Sequence, residues 1–250
     1  MGNSPLHQVN ASTQKWLEWV LVTSIPLRRL NMSDFPVEFA SACLVDYRNR
    51  RFLLTVRHSV GMGSKDWIVD LGYENGKGTE FYRPNSFNYI AEITRSTSSI
   101  RDIDFCYTEV PSDLISKYQH MTPRGIFDER IRHVFQTDLS TMPDSNQIFA
   151  FSGQVKPEKH SAQTFATEMN VYPGLRYLQT KNEFHVFALP VEHPGHEQFK
   201  GCSGAPIVDR DQNVVALVCD GDESTNTIRG VSLARYKFAF DCICNLRNDT

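Results

Sequence analysis

The 250-residue chain has no apolar run approaching the roughly eighteen residues needed to cross a bilayer. No pair among its six cysteines has the CxxC spacing of a zinc knuckle or redox site; Cys242 and Cys244 are separated by one residue. The even count permits disulfides, but it is too sparse for a disulfide-dense secreted scaffold. Contexts such as Ala42-Cys43-Leu44 and Leu217-Val218-Cys219 read instead as small buried thiols in a reducing cytoplasm. Charge of one sign is also missing: 26 basic and 29 acidic residues leave a formal −3, and the cations are scattered. A dedicated nucleic-acid surface is thereby excluded. The first fifteen residues carry one cation and no apolar stretch. The following Trp16–Leu27 segment contains Glu18 and Pro26, with no cleavage signature after it. Gly2 invites myristoylation, yet Leu6 stands where that motif needs Ser or Thr. There is no low-complexity linker and no visible repeat. The expectation is a cytoplasmic, soluble protein with no membrane or nucleic-acid partner. At this length roughly 70–75% of the unfolded surface can be buried, so no metal, cofactor or disulfide is needed for folding.

What is abundant is strand signal. Val37–Val45 and Arg51–Val56 flank a polar five-residue connection, which predicts a hairpin. Lys65–Leu71 and Thr79–Tyr82 flank Glu74-Asn75-Gly76-Lys77-Gly78 and predict another. Asn88–Thr94 and Asp104–Val110 continue the pattern. Ser112–Thr122 lacks alternation and predicts a helical turn plus linker. The second half repeats the style in Gln147–Phe151, Arg176–Gln179, Glu183–Leu189, Ala205–Val208, Val214–Val218 and Thr227–Leu233, with Asp209–Asn213 as a turn. Only the end changes period. Leu233, Tyr236, Phe240, Ile243 and Leu246 recur at three or four residues, predicting an amphipathic terminal helix. Many short strands with polar turns indicate an all-β barrel or sandwich.

Chemistry concentrates in Gly201-Cys202-Ser203-Gly204-Ala205-Pro206. A serine between glycines, ahead of a buried-looking strand, presents its hydroxyl on a tight turn. The same turn lets the N–H groups of Gly201 and Ser203 converge as an oxyanion hole. Read alone, it is equally a Gly-rich β-turn without chemistry. A serine nucleophile needs a base oriented by a carboxylate. Of eight histidines, His58 stands apart, because it follows directly on the strand Arg51–Val56.

Leu54-Thr55-Val56-Arg57-His58 resembles the Thr-Ala-x-His element of the trypsin-like (chymotrypsin-fold) serine peptidases. Ser41–Val45 is similar to the preceding strand of their bacterial members, and Gly201–Pro206 resembles their Gly-x-Ser-Gly-Gly-Pro loop. Asp104–Val110 is similar to the strand that carries their third catalytic residue, and the order His, Asp, Ser is the family's. The likeness runs from about Val37 to the terminal helix. It implies two antiparallel six-stranded β-barrels, 16–122 and 123–233, after a tail 1–15 and before a helix 234–250. It also implies a serine endopeptidase that acts on polypeptides through an acyl-enzyme, with His58, Asp104 and Ser203 as catalytic residues and Gly201 and Ser203 N–H groups as the oxyanion hole. Asp102 lies two residues from Asp104, on the same face of an extended strand, and competes for the third role.

Departures from the family bear on regulation and specificity. Cys202 replaces the Asp that pairs with a newly cut N-terminus, and the Ile-Val-Gly-Gly start is absent. Zymogen activation of that kind is therefore not expected. Ser59 follows His58 in place of the family's cysteine, so that loop disulfide cannot form. By position relative to Ser203, Glu197, Gln198, Phe199, Cys219, Asp220 and Gly221 should line the substrate pocket. Glu197 and Asp220 either favour a basic substrate side chain or simply face water. His193-Pro194-Gly195-His196 with His185 lacks an added Cys or carboxylate, so no metal is expected there. The alternatives to an active enzyme are a silent barrel pair kept for binding or regulation, and a latent protease switched on by a partner.

Overall fold

The strand signal in residues 36–55 is realised as β2 (Pro36–Tyr47) and β3 (Arg50–Thr55). Their connection is Arg48-Asn49 alone, with φ of 50° and 61° at the two positions. Two successive positive φ angles give a turn whose twist matches the strands. The expected five-residue connection shortens because its polar residues pair across the strands. Asp46 faces Arg51 and accepts two bonds from its guanidinium, at 2.7 and 2.9 Å. The structure, a computed structural model, describes residues 11–61, 66–74, 77–94, 99–122, 125–155, 158–159, 165–166 and 169–246.

The first half contains α1 (Ala11–Leu21), β1 (Ile25–Leu30), β2, β3, α2 (Arg57–Val60), β4 (Trp67–Glu74), β5 (Gly78–Tyr82), β6 (Asn88–Thr94) and β7 (Ser99–Val110). Next come β8 (Lys117–Thr122), β9 (Gly125–Ile131) and β10 (Val134–Gln136). The sheet runs β5-β4-β1-β2-β3-β7-β6, and β10 adds to β2 in parallel. Among the described residues this eight-stranded sheet is not closed by hydrogen bonds, unlike the six-stranded barrel expected. The second half contains β11 (Phe149–Gln154), β12 (Glu158–Lys159), β13 (Phe165–Ala166), β14 (Met169–Lys181), β15 (Phe184–Ala188), α3 (His196–Phe199), β16 (Pro206–Val208), β17 (Val214–Asp222) and β18 (Thr227–Ser232). Six of these strands close a barrel in the order β11-β14-β15-β18-β17-β16, as expected, and β12 and β13 form a small ladder beside it.

Three elements depart from the sequence expectation. Residues 112–122 hold no helix; β8 pairs with β9 as a separate ribbon. Its anchor is polar, since Gln119 Nε2 donates to Tyr73 O at 2.8 Å and Gln119 Oε1 accepts from Tyr73 N at 2.6 Å. Phe127 and Ile131 stay exposed, so no alternating pattern marked these strands. The segment Trp16–Leu27 does not open the first sheet as a unit. Its start belongs to α1, which buries Trp16 and Val20, four residues apart, and lies on β11 and β14 of the second half. Its end enters β1, which the two arginines and Pro26 disguise. The β1–β4 ladder covers only Leu27–Arg29, so the N–H that Pro26 lacks is not needed there.

The terminal helix is present as α4 (Leu233–Leu246). It continues directly from β18 and crosses onto the first sheet. Phe240 packs on Phe52, Tyr107, Phe105 and Tyr47, at centroid distances of 5.3, 5.1, 5.8 and 6.0 Å. One apolar cluster thus runs through the seam, from Phe52 and Phe105 to Leu217, Val231 and Tyr236. Burying a side chain of this size stabilises by about 1.5–3 kcal/mol, so the shared cluster fixes the two halves against each other. Among the described residues no helix is long and apolar enough to cross a membrane.

Candidate active site

β3 ends at Thr55, and the single turn α2 places His58 just beyond the strand. β7 pairs with β3 in the register Thr55–Cys106, so Asp104 lies level with the start of that turn. Its Oδ1 accepts the His58 N–H at 2.8 Å, and its Oδ2 lies 2.6 Å from His58 Nδ1. A carboxylate at Nδ1 holds the proton there and leaves Nε2 as the acceptor. Burial alone would push the imidazole pKa down. The Asp104 hydrogen bond and charge, with a contribution from Asp220, outweigh burial and hold it above its ordinary value. Burial likewise opposes ionisation of Asp104, but the hydrogen bonds and charge of His58, with a smaller contribution from the nearby Cys219 thiol, keep its pKa below the ordinary value.

Asp102 is placed elsewhere. Its Oδ2 lies 2.5 Å from Arg57 Nη1, and its side chain is 56% exposed. The two carboxylates left open by the sequence are thereby separated: one holds the imidazole, the other an arginine at the surface.

Ser203 stands on the turn between α3 and β16, and is half-buried. Gly201 and Gly204 adopt φ of 99° and 89°. Both positions are also closely packed. A Cβ on Gly204 would stand 2.0 Å from Ser41 O and 2.2 Å from Thr55 Oγ1, and one on Gly201 would stand 2.5 Å from Gln154 O. The loop therefore needs glycine twice over, for its angles and for its fit against β2, β3 and β11. Ser41, on β2, is a docking point that the sequence did not reveal. Its N–H donates to Ser203 O at 2.9 Å and its hydroxyl to Gly201 O at 2.8 Å. Gln154 N donates to that hydroxyl at 3.2 Å, and Thr55 Oγ1 to Ser41 O at 2.7 Å. Within the turn, Cys202 N donates to Phe199 O, Ala205 N to Cys202 O and Gly204 N to Val218 O. Among the described residues, the Gly201 and Ser203 N–H groups are not among these backbone donors.

The Ser203 hydroxyl donates to Cys219 O at 3.3 Å. Among the described residues no hydrogen bond joins it to His58. Cys219 neighbours both: its carbonyl takes the serine, and its thiol, which donates to Leu217 O at 3.7 Å, lies close enough to Asp104 to help lower its pKa. Cys202, the neighbouring thiol, is fully buried, and burial pushes its pKa to about 12. A thiol so protonated is inert, whereas the serine beside it is reachable.

Of the expected pocket residues, Phe199 and Cys219 are buried, and burial pushes the Cys219 thiol well above its ordinary pKa. Asp220 is committed to Arg229, whose Nε donates to Oδ1 at 2.7 Å and whose Nη2 donates to Oδ2. It is not a free anion for a basic substrate. Gly221 lies against His193. The side chains of Glu197 and Gln198, on α3, fall outside those described. Of the histidines weighed as ligands, His185 is fully buried in the second barrel and bonded to Thr180 Oγ1 at 2.8 Å. Burial pushes its pKa down to about 4. Among the described residues no group of three or more ligating side chains gathers.

No family model matches the chain, and no curated protein matches it in sequence. Solved structures do match. Neuropsin, a serine protease of mouse brain, superposes with a TM-score of 0.55 at 12% identity, covering 90% of this chain and 96% of that one. The serine endoprotease of Yersinia pestis gives 0.53 at 9% identity, covering 94% of this chain and 67% of that one. Human heparin binding protein gives 0.52 at 9% identity, with 88% and 91% covered. The chain has the trypsin-like fold. Matches from a bacterium and from mammals alike do not single out bacterial members.

Proposed function

We propose that the chain is a serine endopeptidase that hydrolyses peptide bonds through an acyl-enzyme. The observation that carries this reading is the Asp104–His58 pair, joined at two points, together with a serine on a glycine-shaped turn whose hydroxyl bonds the carbonyl of Cys219, a neighbour of Asp104. The Ser203 hydroxyl turns from the Cys219 carbonyl to His58 Nε2 and attacks the substrate carbonyl as the imidazole takes its proton. Asp104 keeps the tautomer and stabilises the imidazolium. The developing oxyanion is met by the N–H groups of Gly201 and Ser203, each such donor contributing about 10²–10³ in rate. His58 then protonates the leaving amine, and water activated by the same imidazole releases the acyl group. No metal or cofactor enters these steps. Six unpaired cysteines suit a reducing compartment such as the cytoplasm.

A silent or partner-activated module is the rival, and one observation favours it: the hydroxyl rests on Cys219 O rather than on His58. Catalytic bonds are often long or misdirected in unliganded enzymes and tighten with substrate, so the enzyme reading stands first. The test is cleavage of a peptide mixture by the purified protein, read as new N-termini by mass spectrometry. Cleavage by the wild type and its loss in Ser203→Ala are expected. A folded wild type that cleaves nothing, with or without cell lysate, overturns the reading.

A further inference from the structure

The β8–β9 ribbon forms a sheet of its own, and among the described residues β9 pairs with β8 alone. Arg132 N donates to Ser116 O at 2.9 Å, in the ladder's own register. Lys117–Ile131 and Gln119–Glu129 are therefore its non-hydrogen-bonded pairs, and the N–H and C=O groups of Glu129 and Ile131 point away from β8 along an open edge. The ladder passes from His120–Asp128 to Met121–Ile126, so Phe127 bulges out without a cross-strand partner. Its ring turns to the face of His120, 6.0 Å away, which Asp128 and Arg130 share. By alternation Ile126 returns to the face of Glu129 and Ile131. Phe127 is 80% exposed and Ile131 66%. Unpaired backbone beside exposed apolar side chains is a surface to which another strand adds.

We propose that this edge pairs antiparallel with β9 of a second copy of the chain, about a two-fold axis at Glu129. Outward groups must meet outward groups, so Glu129 exchanges both backbone bonds with its counterpart. With the bulge counted as one step, Arg130 faces Asp128 of the other copy and Ile131 faces Ile126, each twice by symmetry. Opposite charges and apolar side chains thus match in a single register. An axis at Asp128 or at Arg130 would set like charges together and an isoleucine against Glu129. In the favoured register the two Glu129 carboxylates approach the axis. Each is held back by its own Lys117, at 3.2 Å, and by its own Gln119 Nε2, at 2.6 Å. Asp128 already accepts Arg130 Nε of its own strand at 2.8 Å, so pairing joins two ion pairs into a network of four charges.

The test is sedimentation velocity of the full chain over a concentration series. The wild type is expected to pass from monomer to dimer as concentration rises, since one short strand per copy buries less than a standard interface. Asp128→Arg and Arg130→Asp, each with its fold checked by thermal melting, should associate about tenfold or more weakly, because like charges then face each other twice. Their equimolar mixture should recover wild-type association, because every charge then meets its opposite. A wild type that stays monomeric throughout, single variants that dimerise as the wild type does, or a mixture that fails to recover overturns the proposal. Amide exchange gives a second reading without any variant: the Glu129 and Ile131 N–H groups should exchange more slowly as concentration rises. Unchanged exchange at these two positions in a dimer overturns the proposal as well. Neither readout depends on catalysis, so the endopeptidase reading stands or falls separately.

Discussion

The two halves of the molecule contribute to the site in unlike ways. His58 and Asp104 come from neighbouring segments of the first sheet and are joined by contacts of 2.6 and 2.8 Å. Ser203 comes from the second barrel, and its hydroxyl bonds a carbonyl of its own half. The proposed acid–base pair is complete within one sheet, whereas the serine loop is held from both halves, by Ser41 and Thr55 of the other and by Gln154 and Val218 of its own. The proposed base therefore depends on local register, and the proposed nucleophile also on how the halves sit together.

The contrast breaks most sharply at the carboxylates. Asp104→Asn should lower kcat by about 10⁴, through loss of the tautomer that faces Nε2 to the serine. Asp102→Asn removes only a surface ion pair with Arg57 and should change kcat by no more than about fivefold. Equal losses in the two variants, measured on one peptide, would show that the carboxylates were wrongly distinguished.

Ser41→Ala probes the other half. It leaves Gly201 O and Gln154 N without their side-chain partner at a buried position, a cost of about 1–3 kcal/mol in denaturant unfolding. Activity should fall further than that of Asp102→Asn, because the oxyanion turn loosens. The His58 titration should stay in place, since the pair does not rest on Ser41. A shift of the His58 NMR titration in Ser41→Ala would show that the halves are not separable in this way.

The smallest expected effect is on pH. A general base works unprotonated, so activity should fall on the acid side through the His58 pKa. Asp104 raises that pKa against burial, so the midpoint for kcat/KM lies above about 6.5. The residual activity of Asp104→Asn should have its midpoint displaced downward, because burial then acts with less opposition. An unmoved midpoint would show that another group governs the limb. The stability linked to His58 has the opposite trend: with the folded pKa raised, it is full at low pH and is lost as pH rises through that value.

Much of this was legible in the sequence, and the gaps have physical causes. Leu54–His58 and Gly201–Pro206 were readable because a strand end and a glycine turn impose residue types locally. β6 matched its expected bounds, and the turn Asp209–Asn213 is in place. α1 escaped because only Trp16 and Val20 of its residues are buried, too few to mark a period. The β8–β9 ribbon escaped because Gln119, not an apolar stripe, anchors it. Ser41 was invisible because its partners are far away in sequence, 160 residues off in the bond to Gly201, and a lone side chain does not announce such a neighbour. The pairing of Asp220 was not legible because its arginine sits on the next strand.

The nearest approach to the central point is chemical rather than kinetic. A fluorophosphonate reacts only with a serine whose proton a base can take, and peptide mass spectrometry locates the adduct. A single phosphonyl group on Ser203, formed far more slowly in Asp104→Asn and absent in Ser203→Ala, is the predicted result. A folded wild-type protein that takes up no probe, or takes it up on a residue other than Ser203, would contradict the account.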